Sequence, residues 1–304
     1  MKKDARQSVE RIKVGEIATP GEEPCPKGGR RVSGTKEWSH FTMSIFRGCD
    51  NACSYCWSLA DKIRKNKHKQ DTITKDNRHI PLERNWKRFM NSLRAGQRKF
   101  PGASRIMFPA THDITPVTVD ACLRALKFIL DDNANHEVLI VSKPRLDCVK
   151  RLCTELEPYK PRILFRFTIG SADDVVLKFW EPNAPSYRER LESLKYAFEN
   201  GFRTSISCEP PLDGNIENVA DDVYPFVTDG IWIGSANHFK DRIKTNGCWD
   251  PEHEMKLKAL LAANSEDVVK ARYAKWKDDG KIRWKDELKK IIGLASNASA
   301  GLDR

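Results

Sequence analysis

A parallel α/β sheet curled into a partial (β/α)6 barrel, with an irregular N-terminal arm and a C-terminal helical appendage, is the fold that three observations predict. Short runs rich in β-branched and aromatic residues alternate with longer segments of helical periodicity. The connections between them are short, which gives a parallel sheet with right-handed crossovers. Polar residues recur after each strand, on the side where folds of this class gather their sites.

The arm, 1–37, carries Pro20, Pro24, Pro26 and the Gly28-Gly29-Arg30-Arg31 run among few apolar residues, with Cys25 standing alone. A first strand is expected over 40–46, where Phe41, Ile45 and Phe46 cluster. A cysteine-rich loop follows, then a basic run from Lys62 to Lys69, which reads as a solvated face or as a receiver of phosphates. Trp86, Phe89, Met90 and Leu93 recur at helical spacing.

The alternation then repeats. Strands are predicted at 105–108, 137–141, 162–168, 204–208 and 230–234. Pro116 opens a helix reaching Leu130, with Thr115 as its cap and Leu123, Leu126, Ile129 and Leu130 on one face. Further helices are predicted at 145–156 and 187–200, the second closed by Gly201. Six strand–helix units fall short of an eight-fold barrel, so an open partial barrel is expected over 38–250. The segment 251–304 is charged and helical in pattern, from Leu257 and Leu260 through Trp276 to Leu288 and Ile292, and should cover one barrel edge.

Lys and Arg number 53 against 42 Asp and Glu, a formal charge of +11, which suggests a polyanionic partner or a merely soluble surface. No run approaches the roughly 20 apolar residues of a membrane span, and no membrane is expected. The charged start lacks the apolar core of a secretory signal. Nine cysteines in that setting argue for a reducing cytoplasm, where thiolates ligate metal rather than pair.

Three of those cysteines, Cys49, Cys53 and Cys56, fall at C-x3-C-x2-C spacing with an aromatic, Tyr55, before the last. Gly48, Asp50, Asn51 and Ser54 make this a polar loop, so the thiols are not an apolar core face. Zinc would need a fourth Cys or His nearby, and neither His40 nor His68 has that spacing. Three ligands on an iron–sulfur cluster leave one iron open to a substrate or cofactor.

After the predicted strands come Thr111-His112-Asp113, Ser142-Lys143-Pro144, Thr168, Glu209-Pro210-Pro211 and Ser235-Ala236-Asn237-His238. Glu181-Pro182-Asn183-Ala184-Pro185-Ser186 forms a rigid loop before the helix at 187. Each has a plain reading as well: Thr115 as a cap, Lys143 as an exposed lysine.

The cysteine motif resembles that of the radical S-adenosylmethionine superfamily. Together with Thr111-His112-Asp113, Ser142-Lys143, the 181–186 loop with Arg190-Leu191, and Ile233-Gly234-x-x-Asn237-His238, it looks like the spore photoproduct lyase-like branch, over roughly 41–247. The resemblance implies that Cys49, Cys53 and Cys56 ligate a [4Fe-4S] cluster whose fourth iron takes the amino and carboxylate groups of S-adenosylmethionine. It implies Tyr55 against the adenine and Thr111 and Asp113 near the methionine amino group, although the usual Gly-Gly-Glu is missing there. Lys143 and Thr168 would meet the methionyl carboxylate or ribose.

The chemistry so implied is reductive cleavage to a 5′-deoxyadenosyl radical, fed by a reductant such as flavodoxin or ferredoxin, and hydrogen abstraction from a substrate. Cys208 and Cys248 are the candidates for a thiol that returns hydrogen, beside the simpler reading of both as buried apolar residues. Cys122, Cys148 and Cys153 read as core. A nucleic-acid base or nucleotide is the expected substrate, for a lyase or modifying enzyme of DNA or RNA. A peptide or small metabolite is the rival substrate, and a non-catalytic nucleic-acid-binding iron–sulfur protein the rival class.

Overall fold

Strand-forming runs and amphipathic helices alternate along a computed structural model that describes residues 32, 34–66, 77–102, 104–296 and 299–301. The arm's prolines, Cys25, Gly28 to Arg31, and Lys67 to Lys69 at the end of the basic run lie outside the described residues. The first part runs β1 (Phe41–Thr42), β2 (Phe46–Arg47), α1 (Trp57–Asn66), β3 (Leu82–Glu83), α2 (Trp86–Lys99), β4 (Ser104–Phe108) and α3 (Val119–Asp132). The centre runs β5 (His136–Ser142), α4 (Leu146–Glu155), β6 (Ile163–Thr168), α5 (Asp174–Trp180), α6 (Tyr187–Glu199), β7 (Arg203–Cys208) and α7 (Ile216–Val223). The last part is β8 (Ile231–Ile233), α8 (Phe239–Thr245), α9 (Pro251–Ala263), α10 (Glu266–Trp276), β9 (Ile282–Trp284) and α11 (Asp286–Ile292).

Seven strands form one parallel sheet in the order β1-β4-β5-β6-β7-β8-β9, the half-barrel the sequence predicts with one strand more. The added strand is β9, in the segment read as helical; Ile282 and Trp284 bury either side of half-exposed Arg283, the alternation of a half-buried strand. The predicted first strand divides in two. Phe41–Thr42 joins the sheet, whereas Phe46–Arg47 pairs antiparallel with Leu82–Glu83. The helix expected from Pro116 begins at Val119, because Thr115 and Thr118 first close a turn (Thr118 N to Thr115 O, 2.9 Å). Gly201 follows α6 at φ +75°, as its C-terminal role requires.

Alternation along each strand sorts the core. Ile106, Phe108, Val138, Ile140, Phe165 and Phe167 face the helical layer in the main hydrophobic cluster. Met107, Leu139, Leu164 and Trp232 face inward and pack with Trp38, which enters from the segment before β1. Arg166, wholly buried, donates to Ser205 Oγ at 2.9 Å and lies 4.7 Å from the Trp38 ring. This plug closes the middle of the half-barrel and leaves an open cavity at the strands' carboxyl ends.

The segment before β1 and the segment after β9 meet beside that cavity. Lys285, just past β9, pairs with Glu37 at 2.7 Å and donates to Gly34 O at 2.9 Å. Both charged side chains are buried, so each offsets the other's charge.

Candidate functional site

The cysteine loop follows β2, and its backbone leaves little freedom. Gly48 sits at φ +86°, where an added Cβ would stand 2.9 Å from the carbonyl oxygen of Ile80. Ala52 is held at φ 54°, a conformation that costs a non-glycine residue of order 1–3 kcal/mol and is found where surroundings over-determine it. Asn246, after α8, donates from Nδ2 to Ser54 O (2.9 Å) and Cys56 O (3.0 Å), and Arg78 Nη1 donates to Asn246 O at 2.7 Å. The loop is clamped from a distant part of the chain.

Cys49, Cys53 and Cys56 all line one cavity of about 690 Å³. The same cavity is lined by Tyr55, Thr111, His112, Asp113, Lys143 and Thr168. Every cofactor-contact position expected from the sequence therefore meets the three thiols in one space.

Asp113 is the hinge of this wall. Its Oδ2 accepts from Asn51 Nδ2 at 2.8 Å and lies 3.7 Å from Cys49 Sγ; its Oδ1 accepts from Lys143 N at 2.8 Å and Ser142 Oγ at 3.3 Å. Burial alone would raise the Asp113 carboxyl, but Lys143's charge, its backbone N–H and the Asn51 amide outweigh it and hold the group below the usual range. Lys143 Nζ sits 3.6 Å from Asp113 and 3.7 Å from Glu181. Burial disfavours its charge, yet Asp113, Cys53, Tyr55 and Glu181 together hold its pKa well above normal, so it stays an ammonium. Glu181 is neutralised by Arg190 at 2.6 Å, both side chains essentially unexposed, and it also accepts from the Tyr55 hydroxyl.

The expected contact residues differ in how free they are. Tyr55 has one face against Phe239, the ring centroids 4.6 Å apart, so the ring is fixed as a wall. The Thr111 hydroxyl donates to Phe46 O at 3.0 Å. Thr168, at the end of β6, contributes its carbonyl to Arg190 Nη1 at 3.3 Å. His112 Nδ1 lies 2.9 Å from Asp113 O; a carbonyl only accepts, so Nδ1 carries the proton. Burial pushes this imidazole down to about 4 and keeps it neutral.

The two cysteines considered for hydrogen return are placed elsewhere. Cys208 is wholly buried in the main apolar core, while its strand neighbour Ser207 lines the cavity. Cys248 packs beside the cluster that contains Cys53 and Tyr55, with its Sγ 3.7 Å from Asn246 O, and is not on the cavity wall. Asn51 and Asn246, by contrast, hold the site and carried no sequence signal beyond polarity, while Arg190, part of the motif after the 181–186 loop, holds it through Glu181.

The Radical SAM superfamily description matches residues 43–210, more than half of the chain. The chain belongs to the radical SAM superfamily. A cysteine-to-serine mutant of spore photoproduct lyase is 15% identical with a TM-score of 0.51, covering 80% of this chain and 76% of that one. Streptococcus suis SuiB bound to precursor peptide SuiA is 13% identical with a TM-score of 0.50, covering 84% of this chain and 51% of that one. This radical SAM protein thus spans about half of SuiB. A spore photoproduct lyase mutant with bound AdoMet and dinucleoside spore photoproduct is 16% identical with a TM-score of 0.48, covering 67% of this chain and 60% of that one. At such identities the likeness to the first two is one of fold. No curated protein matches the sequence significantly.

Radical SAM enzymes work with a [4Fe-4S] cluster and S-adenosylmethionine, and the residues here fit both. Three thiols share a cavity with an ammonium, a carboxylate and hydroxyls, the complement of a zwitterionic ligand. His112 and Trp38 both line the cavity, and His112 Nε2 and Trp38 Nε1 are buried without a hydrogen-bond partner, as polar atoms beside an absent polar ligand would be. Among the described residues no three Cys, His, Asp or Glu side chains close on one point as the ligands of a single ion would. Thiolates on three separate irons stand further apart than that. No described helix is long and apolar enough to cross a membrane.

Proposed function

We propose that this radical SAM enzyme takes hydrogen from a nucleic-acid base or nucleotide, as a lyase or a modifying enzyme. The observation that carries the reading is the make-up of the cavity beyond the thiols. Arg78, Arg242 and Lys290 line it together with Asp286 and Glu287, Lys290 being paired with Asp286 at 2.7 Å, and Trp57 presents a half-exposed ring beside Cys56. Cationic groups suit phosphates, and an accessible aromatic face suits a stacked base. Glu209 and Asn237 on the same wall offer acceptors and donors of the kind that meet a base edge. The chain's net charge of +11 has the same sign.

In this reading Cys49, Cys53 and Cys56 hold the cluster, and Asp113, Lys143 and Thr168 hold the polar groups of S-adenosylmethionine. Together the cluster and S-adenosylmethionine supply a 5′-deoxyadenosyl radical able to take hydrogen from an unactivated C–H bond. Tyr55, fixed by Phe239 and Glu181, shapes the wall on which the adenosyl group rests. Trp38 closes the floor and keeps water from entering through the barrel. SuiB, of similar fold, is bound to a precursor peptide, so the nucleic-acid reading rests on Arg78, Arg242 and the exposed Trp57 face rather than on the fold.

The test is anaerobic reconstitution with iron and sulfide, then incubation with dithionite and S-adenosylmethionine, with oligonucleotides, with peptides, or with neither. Release of 5′-deoxyadenosine should rise with oligonucleotides, and nucleoside-deuterated DNA or RNA should transfer deuterium into it. Stimulation by peptides alone would overturn the proposed substrate class.

A further inference from the structure

Across the strand that carries the cysteine loop from the main cavity lies a second pocket, of about 560 Å³. Arg47, Arg84 and Arg88 line it, with Asn85, Asn91 and Ser92. The sequence brings them together through the β2–β3 hairpin: Arg47 pairs with Leu82, Arg84 N donates to Ile45 O at 2.7 Å, and α2 then delivers Arg88 in its first turn.

Nothing in the pocket compensates this charge. Its one carboxylate, Glu83, is bound to Arg124 at 3.0 Å. Among the described residues none of the three arginines has a carboxylate partner, and Arg84 Nε is buried with no partner at all. Burial and then the neighbouring charge of Arg47 lower the Arg84 pKa, so the fold holds like charges together against their repulsion. The first turn of α2 adds to this. It carries no acidic residue, while Lys87 and Arg88 sit where the helix dipole favours anions. Guanidinium groups present forked donors that match phosphate oxygens.

We propose that this pocket binds a backbone phosphate of the nucleic-acid substrate, resting on the substrate class proposed above. Arg47 stands two residues before Cys49, and Thr111 Oγ1 donates to Phe46 O, so a single strand separates the phosphate pocket from the cysteine cavity. One strand of nucleic acid crossing that rim offers a base to the cavity and a neighbouring phosphate to the arginines.

The test uses the reconstituted protein and a fluorescein-labelled single-stranded oligonucleotide, with anisotropy titrations over a salt series. Arg84→Gln/Arg88→Gln should bind about tenfold more weakly, and the slope of log K against log salt should flatten by about 0.7 for each phosphate no longer neutralised. Arg84→Lys/Arg88→Lys keeps the charge and should restore the slope, a recovery that a folding defect would not give. Both double variants should form 5′-deoxyadenosine from S-adenosylmethionine alone at the wild-type rate. Unchanged affinity and slope in the glutamine variant overturns the pocket while leaving the substrate class standing. No oligonucleotide binding by the wild type overturns both.

Discussion

Asn51 Nδ2 donates to Asp113 Oδ2 at 2.8 Å, joining the middle of the cysteine loop to the segment beyond β4. Asn51 is wholly buried, and its Oδ1 in turn accepts from Arg145 Nη2 at 3.1 Å. The loop is thus positioned by side chains before any cofactor arrives, the preorganisation that a demanding site requires.

Replacing Asn51 with Ala removes a hydrogen bond to a charged group, worth about 1.5–3 kcal/mol, and leaves Arg145 short of an acceptor. For a chain of this size that lowers Tm by several degrees, on the order of 2–4 °C per kcal/mol. Iron bound per chain after reconstitution should fall, and calorimetry with iron analysis checks both. Full iron loading in a folded Asn51→Ala protein would show that the loop does not need this tie.

The cysteine spacing, the β-rich run of β5 and the glycine after α6 were legible because each is a local pattern with one physical cause. The clamps were not. Asn246 reaches the cysteine loop from the far end of α8, and Lys285, after β9, meets Glu37, before β1, so no spacing announces either. β9 is three residues long and owes its existence to the open edge of β8. Cys208 shows a subtler limit. Alternation along β7 was readable, but both faces of a central parallel strand are buried, so sequence does not tell which parity faces the cavity. The structure gives that place to Ser207.

Buried Glu181 has three partners, Arg190, Lys143 and Tyr55, and breaking its pair with Arg190 leaves uncompensated buried charge. Arg190→Gln should cost about 3–5 kcal/mol, and chemical denaturation measures it. Arg190→Lys should recover little, since the lysine cannot also donate to Pro185 O and Thr168 O as the guanidinium does at 2.9 and 3.3 Å. Near-wild-type stability in Arg190→Gln would mean the pair is not needed to hold Glu181.

Cys53→Ala should abolish reductive cleavage of S-adenosylmethionine if, as proposed, Cys53 on the cavity wall is a cluster ligand. Cys208→Ala should leave cleavage without substrate unchanged and reduce stability modestly, because the thiol lies in the apolar core. Product analysis of the Cys208→Ala enzyme in heavy water separates a core residue from a hydrogen donor. A changed pattern of solvent deuterium in the product would restore Cys208 to the reaction.

Glu209 couples the cavity to pH. Burial pushes its carboxyl up to about 7, against the counter-pull of Lys285 at 3.7 Å, and Gly234 leaves it just enough room: an added Cβ there would stand 2.6 Å from Glu209 Cγ. A carboxyl whose folded-state pKa is raised binds more protons folded than unfolded. Its contribution is therefore complete below the unfolded value near 4.5 and is lost as pH rises through about 7. His112, held neutral at about 4, has the opposite sign and loses stability as pH falls from 6.5. Subtracting a variant isolates the first effect. Glu209→Gln should gain Tm relative to wild type between pH 5 and pH 8, with the difference flat below about 4.5 and above about 8. A difference that stays constant across that window would place the Glu209 pKa at its ordinary value and remove the carboxyl from any pH dependence of the cavity.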